Sequence, residues 1–121
     1  VGGVVWVADE AAIDGVTAVS GSGRAYVFHF IEALEAAARA QGFDEPAARR
    51  LALDTVMGAA KLAQSSDEPP SVLRERVTSK GGTTEAALAS LAAAGWHDAL
   101  VSAVQAAAAR GRELGEQLGK D

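Results

Sequence analysis

Apolar residues in this chain recur at helical spacing along most of its length. From about Arg24 to Gln41, Val27, Phe30, Ile31, Leu34 and Ala38 fall at the three-and-four spacing that gathers side chains on one helix face. Gly42 is placed to stop that helix as a C-terminal cap. Asp44 suits the N-cap of a second helix, with Glu45 and Pro46 in its first turn. Ala47, Leu51, Val56, Ala59, Ala60 and Leu62 carry that helix to about Gln64. The stretch from Ser65 to Pro70 reads as a loop whose prolines open a short helix ending near Val77. A further helix spans about Thr84 to Ala94 and ends at Gly95. The last helix starts between Trp96 and Asp98. Its Leu100, Val104, Ala107, Gly111, Leu114 and Leu118 step by four, three, four, three and four, a continuous stripe.

The first part of the chain follows a different pattern. Val1 to Val7 reads as a short extended apolar segment, and Asp9 to Asp14 as a short acidic helix or turn. Thr17 to Gly23 is rich in small residues and hydroxyls and reads as a loop. No strand pattern follows Val7, so the class is all-α, with about five to six helices.

Composition adds a constraint. At 121 residues the chain is expected to be one domain, and alanine dominates its apolar fraction while aromatics are only 5%. Alanine buries little area, and at roughly 25 cal/mol per Å² such a core is thin for a monomer. A second chain that extends the core would repair this, and Met57-Gly58-Ala59-Ala60 is small enough for another backbone to approach. The net charge of −5 argues against nucleic acid as a partner, because phosphate binding needs clustered Lys and Arg. The absence of cysteine excludes disulfide and thiolate chemistry and is compatible with a reducing cytoplasm. No basic segment followed by an apolar core opens the chain. No apolar run reaches the roughly 18 residues that span a bilayer, so no membrane is expected as a partner.

The candidate chemistry centres on Val77-Thr78-Ser79-Lys80-Gly81-Gly82-Thr83-Thr84. Two glycines and two threonines lead into the helix-forming run from Glu85. One reading is a helix start with Thr83 or Thr84 as N-cap. The other is an anion site, because glycines let N–H groups converge and a helix N-terminus carries partial positive charge. His29 and His97 have no cysteine or second histidine at ligand spacing, so no metal site is expected and both suit packing or surface positions. Asp54 and Glu32 read as solvated helix faces, and Arg110 with Arg112 as a basic turn near a helix end.

Upstream lies Val16-Thr17-Ala18-Val19-Ser20-Gly21-Ser22-Gly23-Arg24-Ala25-Tyr26. With Val77 to Thr84 it resembles the C-terminal domain of pyrroline-5-carboxylate reductases, which read TA-x-SGSGPAY and VTSPGGTT in the same order. The stretches Asp54 to Leu62 and Ala107 to Leu114 fit the same domain, and the resemblance runs from about Val5 to Leu118. It implies residues 1–121 as a dimerisation domain, similar to the 6-phosphogluconate dehydrogenase C-terminal-like fold and interlocked as a homodimer or higher homo-oligomer. The nucleotide-binding domain of the family would then lie upstream, since no G-x-G-x-x-G in a strand–helix context occurs here. The implied activity is reduction of 1-pyrroline-5-carboxylate to L-proline, the last step of proline biosynthesis, in the cytoplasm. The small-molecule substrate's carboxylate would sit on Ser79, Gly81, Gly82 and Thr83, with the Thr84 hydroxyl toward the ring nitrogen. Ser20, Gly21, Ser22 and Gly23 would face the cofactor, NADP or NAD, held mainly by the other domain. A local reading of the same four residues is a flexible helix entry capped by Ser20 or Ser22. Arg24 and Lys80 stand where the family has proline. Competing readings are a helical dimerisation module without chemistry and a reductase of the same broad architecture acting on a different imine or acid.

Overall fold

The computed structural model describes residues 10–119. The periodicity resolves there into six α-helices and one π-helical turn, with no strand among the described residues. The helices are α1 (Glu10–Val16), α2 (Gly23–Ala40), α3 (Glu45–Ser65), α4 (Pro70–Arg76), α5 (Thr83–Ala93) and α6 (Trp96–Gly119). The π turn covers Thr17–Gly21, between α1 and α2. The expected extended segment Val1 to Val7 lies outside the described residues.

Local chemistry sets the helix ends. Gly42 has φ 100, a left-handed conformation that glycine adopts without steric cost. Its N–H donates to the Arg39 carbonyl (3.0 Å) and the Phe43 N–H to the Ala38 carbonyl (3.2 Å), the paired bonds of a Schellman cap. Asp44 then caps α3, its Oδ1 accepting from the Ala47 N–H at 3.0 Å. Pro69 is extended and Pro70 opens α4, where a missing N–H costs nothing. Gly95, with φ 73, stops α5.

Two expectations are corrected. Thr17 to Gly23 is not a loop through its length, because Thr17–Gly21 is helical with wider bonds. The Ser22 N–H reaches the Thr17 carbonyl at 2.9 Å, five residues back instead of four. Arg110 and Arg112 do not form a terminal turn, because α6 continues to Gly119 and its last turn carries no basic residue. Arg110 instead pairs with Glu113 at 3.0 Å on the helix surface.

The chain falls into two compact units. One comprises residues up to Tyr26 together with those from Gly95 onward; the other spans Val27–Ala94. In the first unit α6 packs on both α1 and the π turn. At Gly111 the crossing leaves room for one methyl and little more, since a Cβ there would meet Asp14 Oδ1 at 3.5 Å, an ordinary contact distance. Ala18, in the π turn, is 1% exposed. In the second unit no helix pair approaches as closely as α1 and α6 do. Grooves of about 320 and 240 Å³ open between α2 and α3, and only Ala48 and Ala52 are fully buried. From Met57 to Ser65 every residue of α3 is exposed, Met57 at 68% and Leu62 at 54%.

Gly111 gives a direct test of the α1–α6 crossing. Gly111→Ala adds one methyl at ordinary contact distance and also favours the helix, so stability holds or rises by up to about 1 kcal/mol. Gly111→Val adds bulk that the crossing does not admit and costs about 1–3 kcal/mol. Urea denaturation of both variants beside the parent sequence measures this, and equal stability for Val and Ala would contradict the close crossing.

Candidate functional site

The segment Ser79–Thr84 belongs to the second unit and is held from both sides. On the α4 side, the Thr78 hydroxyl and the Val77 N–H (3.3 Å) donate to the Arg74 carbonyl, and the Thr78 N–H to that of Glu75 at 3.1 Å. These bonds satisfy carbonyls that a helix C-terminus leaves open. The chain then turns sharply, with the Gly82 N–H donating to the Ser79 carbonyl at 3.0 Å. Gly81 is the third residue of this turn, at φ 75, and no described non-glycine residue has positive φ. This is the pattern of a type II turn, which places glycine at that position. Gly82 is favoured by space, since a Cβ there would lie 3.2 Å from the Ser79 carbonyl oxygen, a tight contact.

The expectation of Thr83 or Thr84 as N-cap is corrected. The N-cap is Gly82, extended at φ −91 and ψ −175, and both threonines lie inside the first turn of α5. A side chain that the sequence reading missed secures this end. Glu85 Oε1 accepts the Gly81 N–H at 3.0 Å, reaching back in the manner of a capping box. The signal was present in the sequence as Gly82-Thr83-Thr84-Glu85, an N-cap glycine followed three residues later by glutamate.

The arrangement divides the available donors. The Gly81 N–H is engaged by Glu85, and the Gly82 N–H by Ser79. The N–H groups of Thr83, Thr84 and Glu85 lie in the first turn and have no partner inside the helix, because the first helical bond runs from Ala86 to Gly82 at 3.3 Å. Thr83 is exposed and Thr84 half-buried. Ser79 and Lys80 are exposed. The turn and helix start bring Ser79, Gly81, Gly82, Thr83 and Thr84 together as one polar edge.

Ser20, Gly21, Ser22 and Gly23 form the other cluster, in the first unit. Neither serine side chain is recorded capping α2. The Ser20 hydroxyl donates to the Val16 carbonyl at 3.0 Å, and Ser22 offers its backbone carbonyl to the Ala25 N–H at 3.1 Å. The π winding explains Gly21, since a Cβ there would crowd Thr17 Cγ2 at 3.3 Å. A Cβ at Gly23 would meet nothing within 4 Å. Helix α2 begins at Gly23 with Arg24 in its first turn, so the proline that the family carries there is not needed for the helix to start.

The remaining candidates are surface groups. His29 stands 3.6 Å from Glu32, His97 3.2 Å from Asp98, and Arg50 3.8 Å from Asp54, all well exposed. No group of three or more His, Cys, Asp or Glu among the described residues is placed to hold a metal ion. A groove of about 560 Å³ lies along Glu45, Pro46, Arg49, Arg50, Leu53 and Asp54 and includes neither cluster.

An all-α chain with a glycine turn opening α5 and a small-residue π turn before α2 is thus the class that fold and sites define. The chain belongs to the family described as pyrroline-5-carboxylate reductase dimerisation, whose model matches residues 10–114. It is 49% identical over 120 residues to the pyrroline-5-carboxylate reductase of Pseudomonas aeruginosa, covering 99% of this chain and 44% of that protein. It is 45% identical over 112 residues to the Pisum sativum enzyme, covering 93% and 41%. Among solved structures it is similar to the Coxiella burnetii pyrroline-5-carboxylate reductase, with a TM-score of 0.88 and 40% identity over 92% of this chain and 41% of that one. It is also similar to the Plasmodium falciparum pyrroline carboxylate reductase with NADP bound, at TM-score 0.86 and 33% identity over 93% and 43%. The chain therefore spans less than half the length of these relatives.

The Glu85 bond makes a measurable contribution. Glu85→Ala removes the acceptor from the Gly81 N–H and is expected to cost about 1 kcal/mol, as loss of a helix cap does. Glu85→Gln keeps a carbonyl acceptor and retains most of that stability. Thermal unfolding of the two variants separates them, and an unchanged midpoint for Glu85→Ala would remove the cap from the account of this turn.

Proposed function

We propose that this chain is the C-terminal part of a reductase that converts 1-pyrroline-5-carboxylate to L-proline, the last step of proline biosynthesis. The observation that carries this reading is identity of 49% to a reductase of that name across almost the whole chain, with both turn motifs in place. It favours this activity over a dimerisation module without chemistry. The cofactor of the reading is NADP or NAD, bound mainly by a separate domain, and a similar structure with NADP bound supports a nicotinamide. A cytoplasmic setting accompanies it, which a chain without cysteine suits.

The nicotinamide supplies hydride to the imine carbon when bound. This chain's task is to fix the substrate and support charge at the ring nitrogen. A carboxylate suits the polar edge of Ser79, Gly81, Gly82 and Thr83, where the first-turn N–H groups and the helix dipole favour an anion. With Glu85 already on Gly81, the ligand takes the N–H groups from Thr83 onward, or displaces Glu85. Thr84, half-buried at the second position of α5, is the group we assign to the ring nitrogen. Its hydroxyl is too weak an acid to act alone, so its part is orientation and polarisation. Positioning of this kind supplies several kcal/mol of barrier lowering. The small residues Ser20, Gly21, Ser22 and Gly23 suit close approach of the cofactor: two of them lack side chains, and the other two offer hydroxyls.

The reading includes assembly of at least two copies. A second chain would cover the bare half of α3 and fill the open α2–α3 grooves, which a family described by its dimerisation supports.

Two experiments test these assignments. In the full-length protein, Thr84→Ala is expected to lower kcat and kcat/KM together with little loss of stability, since the hydroxyl acts most as the nitrogen becomes basic. Steady-state rates and a thermal melt on one sample decide this, and normal turnover with an earlier melt would make Thr84 a structural residue only. For assembly, Met57→Glu places charge where the single chain is already exposed, so on an isolated monomer it would change little. Sedimentation is expected to show the parent sequence as a dimer or larger and the variant shifted toward monomer; a concentration-independent monomer for the parent sequence would end the assembly proposal.

A further inference from the structure

The π turn leaves one backbone carbonyl displaced, and a side chain outside the turn takes it. In an ordinary α-helix the Ser22 N–H would donate to Ala18, four residues back. Here it donates to Thr17 at 2.9 Å. The Ala18 carbonyl instead accepts the Tyr26 hydroxyl at 2.9 Å. Ala18 is 1% exposed, so bulk water is a poor substitute partner. The phenol is half-buried and is the group recorded there.

The span of this bond gives it consequence. Eight residues of straight α-helix cover about 12 Å along the axis, farther than a tyrosine side chain reaches. The bond closes because Ser22, still right-handed at φ −81 and ψ −16, belongs to neither helix and marks a break between the π turn and the first turn of α2. Tyrosine on α2 points back toward the helix N-terminus, which aims its hydroxyl across that break. The two anchors, Ala18 and Tyr26, thus bracket Ser20, Gly21, Ser22 and Gly23. Two of the four bracketed residues are glycine, and a Cβ at Gly23 would meet nothing within 4 Å, so local packing does little to hold the segment there. The Ser20 bond to Val16 lies within the π turn and its approach and does not bridge the break.

We infer that Tyr26 is a positioning residue for the cofactor-facing turn: its bond to the Ala18 carbonyl sets the direction in which the Ser20–Gly23 segment faces. This rests on the proposed reading of those four residues as the surface toward the nicotinamide cofactor. Tyr26 itself touches neither cofactor nor substrate in this account. Its effect is transmitted through the backbone.

The test uses the full-length reductase with Tyr26→Phe, which keeps the ring and removes only the hydroxyl. Loss of one hydrogen bond is expected to raise KM for the nicotinamide cofactor by about fivefold, while kcat at saturating cofactor and KM for the imine stay within about twofold. Amide hydrogen exchange on the same samples is expected to quicken at Gly21, Ser22 and Gly23 and to stay unchanged in α6. A role confined to stability would lower the melting temperature and leave cofactor KM unchanged at a temperature where the variant is folded, and that result overturns the inference. Unchanged exchange at those three amides overturns it as well. If the unmodified enzyme binds nicotinamide cofactor but reduces no pyrroline-5-carboxylate, the proposed function fails, while the cofactor-binding and exchange comparisons still decide the role of Tyr26.

Discussion

Alanine is the only residue type fully buried among the described residues, and this limit shapes the rest of the structure. Ala18 in the first unit and Ala48 and Ala52 in the second are the residues so buried, and no large side chain joins them. One methyl group removes little apolar area from water, so each buried contact contributes a small fraction of what a leucine would. The gain from alanine is distance: small side chains let helices and turns pack closely, as α6 does on α1 and the π turn. Close approach without bulk gives good packing but limited hydrophobic stabilisation. The large apolar side chains, Phe28, Met57 and Leu62 among them, remain on the outside of the single chain. A surface of that kind is what an interface presents before its partner is added, and it is the physical basis for reading this domain as one half of an assembly.

Backbone geometry, more than side-chain chemistry, builds the two polar clusters. Gly81 supplies a positive φ, Gly82 clears the Ser79 carbonyl, and Gly21 clears Thr17. Each glycine therefore has a complete structural reason, and its presence alone does not argue for a ligand. The functional weight shifts to groups the local geometry leaves over: the first-turn N–H groups of α5 and the hydroxyl of Thr84. Glu85 sharpens that distinction. It is a carboxylate already seated on one of the N–H groups proposed for the substrate carboxylate. The site thus tolerates an anion at that point, and any ligand there must share donors with it.

Most of the fold was legible in the sequence because its signals are periodic or local. The α2 stripe, the Gly42 stop, the Asp44 cap, the prolines opening α4 and the long α6 stripe all lie where the spacing places them. The π turn was not legible. It differs from an α turn in which carbonyl each N–H reaches, and a run of Thr, Ala, Val, Ser and Gly carries no spacing that reports this. The Tyr26–Ala18 bond escaped for a related reason, since an eight-residue separation matches neither helix nor strand periodicity. The site was legible as residues and not as bonding: Ser79 to Thr84 stood out, while the capping of Gly81 by Glu85 follows from a spacing that the threonine-cap reading passed over. The open α2–α3 pair was hidden as well. A small-residue pattern foretells close packing but does not say whether the neighbour is the same chain.

The two departures from the family's prolines follow the same separation of backbone from side chain. Lys80 occupies the second position of the type II turn, where proline presets φ. The demanding conformation lies one residue later, at Gly81, so a lysine with ordinary negative φ leaves the turn intact. What changes is the entropy of the unfolded chain, which proline would have restricted. Arg24 stands in the first turn of α2, where a proline's missing N–H would have cost nothing and an arginine is equally compatible with the helix. Neither substitution removes a bond that the turns depend on. The motif therefore survives through Gly81, Gly82 and Glu85 in one turn and through Gly21, Ser22 and Tyr26 in the other, and the positions of the lost prolines are free to carry exposed cations beside both clusters.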